Sequence, residues 1–148
     1  MEIAKLMTHP VDVVKMDDSL AHVKNLFELR SFHHLAVVEN GQLVGVVSDR
    51  DLLKAVSPNL DSPSETMKDL LTLNKRVHQI MTRDLITINV EQGMFHAIRL
   101  FNRHNISCLP VVNEQEKLIG MLSWRDILRF IEKKKFKVDF IKKHLIEI

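Results

Sequence analysis

Two stretches of this 148-residue chain gather groups that could hold a ligand. The first is Gly45-Val46-Val47-Ser48-Asp49-Arg50-Asp51-Leu52-Leu53. The second is Gly120-Met121-Leu122-Ser123-Trp124-Arg125-Asp126-Ile127-Leu128. Each reads as a buried strand, then Ser, then the first turn of a helix, with Ser and Asp three residues apart. Such a strand-to-helix corner brings a hydroxyl, a carboxylate and free backbone N–H groups to one point. The carboxylate could accept from a ribose diol, and a helix N-terminus favours phosphate, so the set suits a nucleotide. The same spacing fits a capping box, with Ser as N-cap and the acid at N3. The two readings are compatible, because the Ser can cap the helix while the Asp faces a ligand.

The elements that must position these corners repeat along the chain. A shift of about 74 residues superposes Met7-Thr8 on Met81-Thr82, Leu26-Phe27 on Leu100-Phe101, and Leu35, Val37 and Val38 on Leu109, Val111 and Val112. After a one-residue insertion near Gln115, Leu43, Gly45, Ser48, Arg50 and Asp51 fall on Leu118, Gly120, Ser123, Arg125 and Asp126. A repeat of this kind is read before any local pattern. Hydrophobic periodicity then gives the order β-α-β-β-α in each copy. In copy one a strand covers 11–14 and a helix runs from Leu20 to near Ser31. An apolar strand at 35–38 turns at Asn40-Gly41 into a strand at 43–47, and a helix spans 49–56. In copy two the strands are 85–88, 109–112 and 118–122. One helix is marked by Met94, Ala97, Ile98 and Phe101, and the next begins at Trp124.

The resulting organisation is a first repeat at 1–57, a linker with a short helix at 58–76, a second repeat at 77–131 and a basic tail at 132–148. The linker helix is expected over 65–73 with Met67, Leu70 and Leu71 turned inward. In the tail, Val138, Ile141, Leu145 and Ile148 form a sparse apolar stripe among lysines. It reads as an amphipathic basic helix packed on the protein, ahead of a partner, membrane-surface or nucleic-acid contact.

Bulk composition narrows the classes. The length suits one domain or one repeat pair, able to bury about 68–70% of its extended surface without staples. Cys108 is the sole cysteine, so no intrachain disulfide forms and a reducing, cytoplasmic setting is expected. No apolar run approaches the roughly 20 residues of a membrane span, and the N-terminus lacks a signal-peptide core. A net charge of +2 with 27% charged residues is too balanced to argue for nucleic acid by itself, and RNA-stacking platforms usually carry more aromatics than seven Phe, one Trp and no Tyr. No Ser/His/Asp or Cys/His set stands out, so the chain reads as a binding protein and not an enzyme. A metal site at His33, His34 and His78 is disfavoured, because no carboxylate or Cys stands at ligand spacing. Cys108, beside a buried strand, reads as a small core or pocket residue.

The markers Leu6-Met7-Thr8, Leu35-Ala36-Val37-Val38 and Gly45-x-x-Ser48-x-x-Asp51 resemble a cystathionine-β-synthase (CBS) domain. Ile80-Met81-Thr82, Leu109-Pro110-Val111-Val112 and Gly120-x-x-Ser123-x-x-Asp126 repeat them in register. The resemblance covers about 3–131 and is to a tandem pair, the Bateman module. More narrowly, the chain is similar to small stand-alone pairs of the acetoin-utilisation type. It implies an α/β (α+β) fold: two β-α-β-β-α repeats packed as a pseudo-twofold disc, here with an extra C-terminal helix. It implies adenosine-containing regulatory ligands (AMP, ADP, ATP or S-adenosylmethionine) in two clefts, no catalytic cofactor, and association of two discs as a homodimer.

Position by position, Ser48 and Asp51 would hold the ribose of one cleft, and Ser123 and Asp126 that of the other. Adenine contacts would come from Thr8, Val11, Phe32, His33 and His34, or from Thr82, Leu85, Ile106, Ser107 and Cys108, with much of each wall drawn from the opposite repeat. Arg50 and Arg125 would assist with phosphate. His33 and His34 stand where phosphate-binding relatives often carry His or Arg, against Ser107 and Cys108 in copy two, so the Asp51 cleft is expected to be the better phosphate site. Ala36 stands where the resemblance expects Pro. A ligand-free interaction scaffold and a nucleic-acid binder using the lysine-rich tail are the alternatives.

Overall fold

The two apolar runs become the middle strands of two three-stranded sheets in the computed structural model, which describes residues 3–134. The first repeat comprises β1 (Val13–Val14), α1 (Leu20–Leu29), β2 (His34–Glu39), β3 (Gln42–Ser48) and α2 (Asp49–Ala55). The linker carries α3 (Met67–Leu71). The second repeat comprises β4 (Ile88–Asn89), α4 (Met94–Arg103), β5 (Cys108–Val112), β6 (Leu118–Ser123) and α5 (Trp124–Lys133). In each sheet the middle strand pairs in parallel with the short first strand and antiparallel with the third. The β-α-β-β-α order therefore holds in both copies. From residue 135 the basic tail lies outside the described residues.

Element lengths differ from the apolar pattern for backbone reasons. Only Val13–Val14 and Ile88–Asn89 pair with the middle strands, which leaves Val11 and Leu85 in the approach loops. The second strand is longer than its apolar run, because His34 pairs with Ser48 and Glu39 with Gln42. Ladder bonds join main chains and place no demand on the side chain. At the hairpin Asn40 and Gly41 have φ of 49° and 77°. Two successive positive φ values are what a type I′ turn requires.

The linker helix corrects an expectation. Met67, Leu70 and Leu71 face outward, at 72%, 41% and 55% exposure. Polar groups on the other side hold the helix. The Ser57 hydroxyl donates to Asp69 at 2.7 Å, and the Ser57 N–H donates to the Thr72 hydroxyl at 3.0 Å. Thr66 and Asp69 close a capping box at its start. These bonds turn the Asp69–Thr72 side inward and the apolar side to solvent.

The hydrophobic cores do not follow the sequence repeats. Ile3 and Leu6, from a 3-10 turn at the start of the chain, are buried among Leu109, Leu122 and Ile127 of the second repeat. Val77 and Met81, from the start of the second repeat, are buried among Leu35, Val47 and Leu52 of the first. Each half thus carries a buried plug from outside its own repeat. Main-chain bonds complete the exchange. Thr8 and Met121 donate to each other's carbonyls at 2.8 and 3.1 Å, and Thr82 and Val46 do so at 2.9 and 3.1 Å. The glycines of the two corner motifs make room for this. A Cβ on Gly45 would fall 2.8 Å from the Met81 sulfur and 3.1 Å from the Thr82 carbonyl, and Gly120 is pressed in the same way by Met7.

On the outer side, each helix pair leaves a shallow groove. The α1–α2 groove has a volume of about 230 Å³ and is lined by Lys24, Phe27, Glu28, Asp49, Leu52, Leu53 and Val56. The α4–α5 groove, of about 220 Å³, is lined by the corresponding positions of the other repeat: Ile98, Phe101, Asn102, Trp124, Ile127, Leu128 and Ile131. The charged Lys24, Glu28 and Asp49 of the first are thus Ile98, Asn102 and Trp124 in the second.

Candidate functional site

At both corners the acid serves the cap with one oxygen. The Ser48 N–H donates to Asp51 Oδ2 at 2.9 Å, and the Asp51 N–H donates back to the Ser48 hydroxyl at 3.0 Å. At the second corner the Ser123 N–H and hydroxyl both donate to Asp126 Oδ2, at 2.8 and 3.0 Å, and the Asp126 N–H returns to the Ser123 hydroxyl at 3.2 Å. The capping box is therefore present twice. It fixes each side chain so that Oδ1 is held away from the cap. Asp51 Oδ1 has no hydrogen-bond partner among the described residues, and Asp126 Oδ1 has only the Arg129 guanidinium, at 3.8 Å. Both carboxylates are partly buried. An anchored acid with one free oxygen at a helix N-terminus can accept from a neutral hydroxyl pair while the nearby N–H groups attract an anion.

The residues before each middle strand lie against these corners. His34 pairs with Ser48 across β2–β3, and Cys108 with Ser123 across β5–β6. The His33 carbonyl accepts from the Asp49 N–H at 3.0 Å, and the Ser107 carbonyl from the Trp124 N–H at 3.4 Å. His33 Nδ1 lies 2.8 Å from Asp49 Oδ2. Across the repeats, the Ser107 hydroxyl meets His34 Nε2 at 3.3 Å. Thr82 bonds to β3 two residues before Ser48, and Thr8 to β6 two residues before Ser123. Each corner thus gains a Thr from outside its own copy.

The other expected residues are less closely drawn in. Val11 and Leu85 sit in approach loops. Phe32 packs edge-on against Phe27, with centroids 5.8 Å apart, and Ile106 rests on the second core. Arg50 is exposed, and Arg125 lies over the Trp124 ring, 5.6 Å from its centroid. Two site neighbours, Asp49 and Trp124, had no signal beyond their place at the first helical position. The contrast between them becomes visible only when the two copies are aligned.

Electrostatics separate the two corners. Burial pushes the His34 pKa down, against the pull of Asp49 and Asp51, so its ring is neutral at pH 7. Its counterpart Cys108 is pushed up to about 12, first by burial and then by the Asp126 carboxylate. A thiol held so far above pH 9 carries about a thousandth of the usual thiolate, which rules it out as a ready nucleophile. At pH 8, alkylation of Cys108 by iodoacetamide is expected to be at least a hundredfold slower in the folded protein than in denaturant. Mass spectrometry of timed samples checks this, and comparable rates would contradict it.

Comparison with known proteins agrees with this architecture. The CBS domain model matches residues 3–58 and 77–133. The CBS domain pair of protein MJ0100, solved with 5′-methylthioadenosine and S-adenosyl-L-methionine, superposes with a TM-score of 0.74 at 24% identity, over 90% of this chain and 98% of that one. AcuB from Vibrio cholerae, of the acetoin-utilisation type, gives a TM-score of 0.74 at 24% identity over 94% and 95%. CBSX2, solved with AMP, gives 0.73 at 28% identity over 90% and 98%. Two curated relatives matched at 33% and 29% identity are much longer, and the chain spans 24% and 34% of their length. Among the described residues no helix is long and apolar enough to cross a membrane. With both repeats matched and the pair architecture shared, the chain belongs to the CBS domain family as a tandem pair.

Proposed function

We propose that this protein is a regulatory sensor that binds adenosine-containing ligands in two crevices and catalyses no reaction. The observation that carries the reading is the twinned acid: Asp51 and Asp126 are each fixed by a cap through Oδ2 and keep Oδ1 for another acceptor role. A ribose diol supplies two hydroxyl donors for such an oxygen. CBSX2, at 28% identity, holds AMP on the same fold, which supports the adenosine class. Ser48, Asp51, His33, His34, Arg50 and Thr82 would form one crevice, and Ser123, Asp126, Ser107, Cys108, Arg125 and Thr8 the other. Val11, Phe32, Leu85 and Ile106 would contribute apolar edges.

The first crevice is the better candidate for phosphate, because both imidazoles belong to it. Asp49 engages His33 through Nδ1, which leaves Nε2 for a phosphate oxygen. A ligand touching groups from both repeats would favour one relative arrangement of the halves, and signalling then follows as a population shift. The partner in assembly is a second copy of the chain.

Isothermal calorimetry with AMP, ADP, ATP and S-adenosylmethionine tests the reading. Saturable binding of at least one ligand, at no more than two sites per chain, is expected. If none of the four binds while the protein remains an associated species, the ligand-free scaffold replaces the sensor; the exposed apolar helix faces favour that second reading.

A further inference from the structure

We infer that the His34–Ser107 hydrogen bond couples the two crevices, so that filling one changes the affinity of the other. The inference rests on the sensor reading above and adds a route between its two sites. Among the described residues this contact, at 3.3 Å, is the one side-chain-to-side-chain hydrogen bond between the repeats. Each end is tied by main chain to a different corner. His34 is the ladder partner of Ser48, whose hydroxyl and N–H hold Asp51. The Ser107 carbonyl accepts from Trp124, the first residue of the helix that presents Asp126. A ligand that pulls on Asp51 shifts the Ser48 end of β3 and with it His34, and the change passes to Ser107 and the second helix N-terminus.

Local symmetry leaves this bridge without a counterpart among the described residues. Aligning the copies sets His33 opposite Ser107 and His34 opposite Cys108, so a symmetric pair of bridges would need a second contact between His33 and Cys108. His33 is instead held by Asp49 on its own side. Among the described residues a single, asymmetric side-chain bridge joins the two halves, and each end of it belongs to a different site. His34 and Ser107 act here as positioning residues. Coupling between sites is reciprocal, so either crevice can report on the other.

A site-resolved NMR titration of the full chain with AMP, repeated with ATP and with S-adenosylmethionine, tests this. Backbone amides at 48–51 report the first crevice and those at 123–126 the second. In the wild-type background, disabling the first crevice with Asp51→Asn is expected to change the second crevice's affinity about two- to tenfold, the equivalent of one neutral hydrogen bond. In a Ser107→Ala background the same step should leave the second crevice unchanged, and Ser107→Thr, which keeps the hydroxyl, should restore the effect. An equal change with and without the hydroxyl, or no change in either background, overturns the coupling. If no amide at either corner moves with any of the three ligands, the sensor reading itself fails and the coupling goes with it.

Discussion

Asp51→Asn is expected to weaken binding at the first crevice about tenfold or more, and Asp126→Asn to do the same at the second, with the fold intact. A hydrogen bond to a charged group is worth about 1.5–3 kcal/mol, and 1.4 kcal/mol is a factor of ten in affinity. Asn is the informative substitution because the acid has two duties. Its amide oxygen can still accept from the Ser48 or Ser123 N–H, so the cap persists, while the unclaimed carboxylate oxygen becomes an NH2 that cannot accept from a hydroxyl. Ala would remove the cap contact as well and mix a folding effect into the result. The melting temperatures of the Asn variants should therefore stay near wild type while calorimetry shows the loss. The two variants should also differ in character. With both imidazoles at the first corner, Asp51→Asn should reduce ADP and ATP binding more than Asp126→Asn does. If neither substitution changes the affinity of a ligand that the wild type binds, the acids do not hold the ribose.

Much of this arrangement can be read before any coordinates. The 74-residue offset, the Ser-x-x-Asp corners and the apolar middle strands are local patterns, and each appears where its periodicity puts it. What the pattern does not contain is partnership at a distance. Ile3 and Leu6 are apolar residues of the first copy, yet they fill the second core, because a short 3-10 turn has no sheet of its own to bury against. The outward apolar face of α3 has a similar cause. Met67, Leu70 and Leu71 look like a core stripe, but the Ser57–Asp69 bond decides which side faces the protein. At the candidate site, the capped corners of Asp51 and Asp126 are legible from spacing, whereas Asp49 beside His33 and Ser107 beside His34 depend on how strand ends and repeats meet.

Leu128→Asp is expected to dissociate the proposed homodimer, and Leu53→Asp to disturb it far less. The two matching grooves differ in charge. Around the α1–α2 groove Lys24 bonds Glu28 at 2.6 Å and Asp61 at 3.0 Å, and Asp49 holds His33. Those charges are satisfied in water and would lose hydration if a second copy covered them. The α4–α5 face offers Phe95, Trp124 and Leu128 at 69%, 42% and 52% exposure, with Ile98, Phe101 and Ile131 beneath and no acidic or lysine side chain lining its groove. A twofold contact buries the same residue from both copies. Covering the exposed half of one Leu is worth about 0.8–1.5 kcal/mol, so losing it twice weakens dimerisation roughly tenfold or more, before the cost of two buried carboxylates is counted. Sedimentation equilibrium of wild type and both variants decides the matter. A monomeric wild type removes the second copy as partner, and a dimer that survives Leu128→Asp but not Leu53→Asp moves the contact to the charged groove.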